Sequence, residues 1–220
     1  MHIGLIGGIG PAATFAYHKM LIDRFAVVEK QLKLTIAHAD APTLLENLSN
    51  DNAAQQADLY VPLTETLKNA GADIVAITSI AGHFCIDEFL PISPLPVINM
   101  IDSVSTFVRD KGMARLGLLG TKKVMETTFY EQLGGLDVIV PEGTALNSVH
   151  DAYSEMAAAG VANDDHRRVF ETACADFNNR GASAILLGGT DYSLLKNQYE
   201  GDLPLIDCIE VHVSALLALS

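Results

Sequence analysis

The chain has 220 residues, 49% of them apolar and 19% charged, ample for one large or two small domains with buried cores. With 27 acidic and 14 basic residues its net charge is −13, which argues against a nucleic-acid partner, and no apolar run reaches the roughly 18–20 residues of a membrane span. Three cysteines and seven scattered histidines without metal-ligand spacing argue against a metal site and favour a reduced, cytoplasmic setting.

A strand-like segment is expected over 2–7, and with it at the start of the sequence no signal peptide is expected. A helix is expected over 11–28, a strand over 33–38, and a helix over 53–70 in which Pro62 should cause a kink or a split. Asp51 and Asn52 are plausible caps for that helix and Gly71 a left-handed stop. Strands near 73–78 and 96–99 follow, then a helix over 102–111. The second half is expected to run strand 115–120, helix 123–133, strand 136–140, helix 164–180, strand 183–187, strand 204–207 and helix 208–219. Short apolar runs bounded by Gly or Pro, alternating with helical stretches, are the pattern of a parallel sheet covered by helices.

The two halves repeat. His2-Ile3-Gly4-Leu5-Ile6-Gly7-Gly8 returns as Arg115-Leu116-Gly117-Leu118-Leu119-Gly120-Thr121, the run Gly71–Ser79 as Gly181–Gly189, and Leu95-Pro96-Val97-Ile98-Asn99 as Leu203-Pro204-Leu205-Ile206-Asp207. The matches are in order and spaced by about 110 residues, as two copies of one unit would be. The expected fold is therefore α/β, with two pseudo-symmetric domains, each a short parallel sheet flanked by helices. The first domain covers 1–100 plus 206–220 and the second 101–205. A ligand belongs in the cleft between them, where strand carboxyl ends meet helix amino ends.

Gly7-Gly8-Ile9-Gly10-Pro11 links a strand to a helix and suits a close backbone approach to an anion. The window Gly8–Ala13 also satisfies G-x-G-x-x-A, with Asp40 as a ribose partner. Pro11, which removes a first-turn amide, and the copied second half count against a dinucleotide site.

Residues 3–14, Ile-Gly-Leu-Ile-Gly-Gly-Ile-Gly-Pro-Ala-Ala-Thr, resemble the opening of aspartate racemases, and Gly71-Ala72-Asp73, Gly117–Thr121 and Pro204–Asp207 agree. The chain thus resembles the cofactor-independent aspartate/glutamate racemase superfamily over essentially its whole length. The resemblance implies a small anionic substrate, no cofactor and a homodimer. It implies an inter-domain cleft where two thiols act on opposite faces of one carbon. The first thiol opens a Cys-Asn-Thr-Ala-His block, which here reads Ser79-Ile80-Ala81-Gly82-His83. The second lies in Gly-Cys-Thr-Glu, here Gly188-Gly189-Thr190-Asp191. Both thiols are missing. An unassisted serine hydroxyl is far more basic than a thiol, and each pKa unit is worth about 1.4 kcal/mol, so the two-thiol mechanism cannot operate.

Ser79 and the Gly189 position, with His83 and Asp191, are the candidate catalytic residues. His83 can alternatively be a structural histidine and Asp191 a helix cap. Leu44 stands where the family grips a carboxylate with Arg, and the family's Lys falls near Asn163. Lys122 and Lys123 are candidates for replacement charge, while Arg167 and Arg168 fit a solvated helix face. Cys208 can approach the cleft or sit in the core. Gly8, Thr14, Ile80, Ala81, Gly120, Thr121, Lys122 and Thr190 are the expected substrate-binding residues, mostly through main-chain amides. Two functions are expected from this: an enzyme of the racemase type moving a proton at the carbon beside a carboxylate, or a carboxylate-binding protein on the same scaffold that has lost catalysis.

Overall fold

Strand β1 (His2–Gly7) is apolar on both faces, and a strand of that kind is stable only with neighbours on each side and layers above and below. In a computed structural model that describes residues 1–8, 10–129 and 131–219, it is the centre of a parallel sheet. Its partners are β2 (Lys33–His38) and β3 (Ile74–Ile77), with Leu5 opposite Ile36 on one side and Ala76 on the other. The second sheet is built the same way around β4 (Arg115–Gly120). Its order is β5 (Asp137–Ile139), β4, β6 (Ala184–Gly188), β7 (Leu205–Asp207), all parallel.

The duplication reaches individual hydrogen bonds. The Val75 amide donates to the Pro96 carbonyl and the Ile185 amide to the Pro204 carbonyl, both at 2.9 Å. The side chain of Asn99 caps the following helix through the Ile101 amide (2.9 Å), and that of Asp207 does so through the Ile209 amide (2.8 Å). The expected strand over 96–99 is reduced to a single bridge, Val75 to Val97, because the chain turns at once into the helix that Asn99 caps.

Helices α1 (Pro11–Val27), α2 (Ala41–Ser49), α3 (Ala53–Asn69), α4 (Ile86–Phe89) and α5 (Met100–Asp110) belong to the first half. The second has α6 (Lys122–Glu126), α7 (Thr144–Ala159), α8 (Asp164–Asn179), α9 (Ser193–Lys196) and α10 (Cys208–Ala218). Short 3₁₀ turns over Ala81–Cys85 and Thr190–Tyr192 follow β3 and β6. Helix α10 packs on both α1 and α5, so it ties the two halves together. One core runs from the first sheet through Val104, Val108, Ile209 and Val213 to Leu116, Leu118 and Leu186. The other face of the second sheet, with Leu119, Ile185 and Leu187, packs a separate cluster around Phe170, Phe177, Tyr153 and Tyr192.

Three expectations are corrected. Helix α3 is not split at Pro62 but continuous through it; the ring and Asp58, whose carbonyl loses its helical donor, both lie on the exposed side, where that loss costs little. The helix expected over 123–133 stops at Glu126, since Thr128 and Phe129 take positive φ (46° and 62°) to bury the Phe129 ring. Helices α2 and α7 were not expected. The first opens on Ala41-Pro42-Thr43, which reads as loop, and the second buries only Val149, Tyr153 and Met156. Among the described residues no helix is long and apolar enough to cross a membrane, and no cluster of His, Cys, Asp or Glu has the arrangement of a metal site.

Candidate functional site

The loop from β1 to α1 closes on itself before it meets any ligand. Gly8 has φ +102°, a conformation only glycine adopts freely. Its amide donates to Thr14 Oγ1 at 2.9 Å, and Thr14 Oγ1 lies 3.3 Å from both the Gly10 carbonyl and Thr78 Oγ1. The expected contributions of the Gly8 amide and the Thr14 hydroxyl to an anion cradle are thus spent on the turn. A Cβ at Gly8 would stand 2.6 Å from the Ala39 carbonyl and closer still to His38 Nδ1. Gly8→Ala is therefore expected to cost about 2 kcal/mol or more, from positive φ plus overpacking, read as a lower urea midpoint.

Beyond β3, Ser79 is 3% exposed and its Oγ accepts the Gly82 amide at 3.4 Å. His83 does not touch that hydroxyl. Its Nδ1–H donates to the Ser79 carbonyl at 2.6 Å and its Nε2 accepts the Met100 amide at 3.3 Å. Both ring nitrogens are committed, and burial lowers the pKa to about 4, so the imidazole is neutral. No Ser–His couple forms; His83 pins the Ser79 backbone to the start of α5. Ile80 is buried, Ala81 half-buried, and Ile80 accepts the His83 amide.

Leu44, at the family's Arg position, is fully buried in the core on α2. Asp40 caps α2 through the Thr43 amide (3.0 Å) and hydroxyl (2.6 Å), bonds that hold its pKa below the usual carboxylate value. That leaves the ribose partner of a dinucleotide reading engaged as a cap. Asn163 likewise caps α8, in a capping box with His166. Arg167 and Arg168 pair with Asp164 and Asp165 on an exposed helix face.

In the second half Gly120 passes flush against Gly188, whose carbonyl would lie 2.7 Å from any Cβ at 120. Thr121 caps α6 through the Val124 amide at 3.3 Å. The Lys122 amide donates to His150 Nδ1 at 3.2 Å, and its ammonium pairs with Glu126 at 3.8 Å. Lys123 reaches Asp51 of the first half at 3.2 Å, an exposed bridge across the two units.

At the second thiol position Gly189 is extended (φ −144°, ψ 121°), a backbone open to any residue. The obstacle to a side chain is Tyr153 of α7. A Cβ at 189 would lie 2.6 Å from Cζ and 3.0 Å from Oη of that tyrosine. Tyr153 Oη in turn donates to Asp191 Oδ2 at 3.1 Å. Asp191 is 3% exposed, and its carboxylate sits across the halves against Gly10, where a Cβ would come within 3.2 Å of Oδ2 and 3.4 Å of Oδ1. Burial raises its pKa to about 6, against the lowering influence of Tyr153, the Ala13 amide and Thr190. Among the described residues no donor meets Asp191 Oδ1 with hydrogen-bond geometry.

Thr190 is buried beside Asp191. The three cysteines are free and buried; Cys208 Sγ donates to the Leu187 carbonyl at 2.8 Å, and burial pushes Cys85 and Cys174 up to about 12. None of them is a thiolate near neutrality. A groove of about 530 Å³ runs between α1 and α9–α10 past Phe15, Lys19, Leu194 and Lys196, and neither Ser79 nor Gly189 lines it. Asp191 and Gly10 are both buried where the two halves meet. Sequence reasoning missed Tyr153, whose only signal was its place in the Val149-Tyr153-Met156 stripe.

Known structures share this architecture. A Yersinia pestis protein classed as a candidate Asp/Glu racemase is 26% identical, with each chain covered in full and a TM-score of 0.85. An aspartate racemase homologue from Pyrococcus horikoshii is 24% identical over 99% of this chain and 98% of its own, at TM-score 0.81. The aspartate racemase of Picrophilus torridus is 20% identical over 100% and 94%, at TM-score 0.79. The family described as Asp/Glu/Hydantoin racemase matches residues 6–216, nearly the whole of the duplicated unit laid out above, and the chain belongs to that family.

Proposed function

We propose that this protein opens the seam between its units, residues 1–100 with 206–220 and residues 101–205, to bind a small carboxylate there, and moves a proton at the carbon beside the carboxylate. It does so without a cofactor and without the two-thiol pair. The observation that carries this reading is Asp191, a buried carboxyl at about 6, set at the family's second catalytic block and facing the α1 amino end. A group titrating there is poised for acid–base work near neutral pH. In this reading Lys122 serves the mouth of the opened seam, and the amides of Ile80, Ala81 and Thr190 receive the carboxylate. The unit works in the cytoplasm as a homodimer, for which sedimentation should give twice the mass of one chain.

A second reading has its own observation. Ser79 and Asp191 are buried and Tyr153 fills the place of the second thiol, which suits a protein that binds a carboxylate without turning it over. Both enantiomers of aspartate, glutamate, alanine and lactate, incubated in heavy water and followed by proton NMR, separate the two. Exchange of the α-proton that rises as pH passes through about 6, and is lost in Asp191→Asn, is the expected result. Thermal stabilisation by one of these acids with no exchange would establish the second reading instead.

A further inference from the structure

We propose that Tyr153 supplies, from helix α7, the proton-transferring oxygen on the face where residue 189 has no side chain. This rests on the proton-transfer reading of the seam and names the atom that performs it. A Cβ at 189 would lie 2.6 Å from Tyr153 Cζ and 3.0 Å from Tyr153 Oη, so the ring edge of Tyr153 fills the space of a side chain at 189 and carries the phenol oxygen to the border of that space. Its ring is fixed by Tyr192, at 5.0 Å between centroids, and Tyr192 is in turn packed on Phe170 at 5.5 Å. Its hydroxyl is fixed by Asp191 Oδ2 at 3.1 Å. A positioned hydroxyl backed by a carboxylate is the arrangement by which a weak oxygen acid is made to exchange protons.

The step balances. The substrate C–H bond breaks, its proton passes to Tyr153 Oη while the phenol proton passes to Asp191 Oδ2, and the electron pair stays on the carbon, delocalised into the carboxylate. The reverse sequence returns a proton. No tyrosinate accumulates, which matters because burial and the adjacent Asp191 hold the free phenol well above 10. The relay requires ionised Asp191. The groups facing it are Tyr153 from α7, Thr190 from the 3₁₀ turn, Gly10 at the amino end of α1 and Ala13 from α1, which carry no charge.

On the other face Ser79 Oγ accepts an amide and His83 is fully engaged, so removal and return of the proton both run through Tyr153. Hydrogen exchange with retention of configuration therefore outruns inversion.

The test is α-proton exchange in heavy water on the same four acids, with chiral chromatography of the product. Wild type should incorporate deuterium faster than it forms the opposite enantiomer. Tyr153→Phe, which keeps the ring, should lose exchange by about 100-fold or more while its thermal stabilisation by the bound acid persists. Site-specific replacement of Tyr153 by fluorotyrosines, which packs alike but acidifies the phenol, should move the rate and its pH profile. Exchange in Tyr153→Phe within twofold of wild type, or fluorotyrosine rates identical to wild type, would overturn the role of Tyr153 alone. Absence of exchange in wild type would overturn it together with the proton-transfer reading.

Discussion

A cysteine introduced at position 189 is expected to destabilise the protein by about 2–5 kcal/mol and to give no racemase. The backbone there is extended and tolerates a side chain, so the cost comes wholly from the Tyr153 ring, which stands 2.6 Å or less from the new Cβ. Forcing an atom into a packed interior costs about 1–3 kcal/mol. Displacing Tyr153 also strips the buried Asp191 carboxylate of its Oδ2 hydrogen bond, worth about 1–3 kcal/mol more. Urea unfolding of Gly189→Cys, Tyr153→Ala and the double variant measures the coupling. The double variant should be more stable than the sum of the single effects predicts. Additive losses would show that the ring moves aside freely. Rebuilding the family's two-thiol site accordingly takes three changes, at Ser79, Gly189 and Tyr153, where the sequence alone suggests two.

The second large effect is acid lability. His83 and His212 are buried and neutral, with pKa values lowered to about 4 and about 3 by desolvation. Each uses both nitrogens: His212 accepts the Tyr17 hydroxyl at Nδ1 (2.7 Å) and donates from Nε2 to the Ile98 carbonyl (2.8 Å). Their rings are 6.5 Å apart, so charging one opposes charging the other. The unfolded chain binds these protons from about pH 6.5 downward while the folded one refuses them until near pH 4 and pH 3, so stability falls with pH across that window. Between pH 7 and pH 5 the two together cost about 4 kcal/mol.

Asp191 works the other way. Its raised folded pKa, about 6, makes its charge a burden above that pH, and protonation returns about 1 kcal/mol over the same interval. Asp207, also raised by burial, acts in the same direction as Asp191. The net expectation is a protein about 2–3 kcal/mol weaker at pH 5 than at pH 7, a large share of an ordinary stability of about 5–15 kcal/mol. Urea midpoints at the two pH values measure it. Replacing His212 by Gln should lower stability at pH 7 but remove about two-thirds or more of its net pH dependence; an unchanged slope would remove the histidine from the account.

The architecture was legible in the sequence because it is written twice. Strands buried on both faces must be apolar throughout, a glycine must end each central strand where it runs flush against its neighbours, and a capping Asn or Asp must follow each Leu-Pro strand; these local demands recur at Gly7 and Gly120 and at Asn99 and Asp207. The absence of thiols at 79 and 189 and of an arginine at 44 was equally plain. What a side chain does was not legible where its partner comes from elsewhere in the chain. Ser79 and His83 lie one turn apart and invite a couple, but the ring turns to the Ser79 carbonyl and the Met100 amide. Thr14 and Gly8 suggest a ligand cradle, and instead bond to each other. Above all, the vacancy at Gly189 is visible in one dimension, while its filling by Tyr153, 36 residues earlier on another helix, depends on how α7 packs against the 3₁₀ turn. Periodicity records which face of a helix is buried, but only the packed structure decides which atom that burial places beside the carboxylate of Asp191.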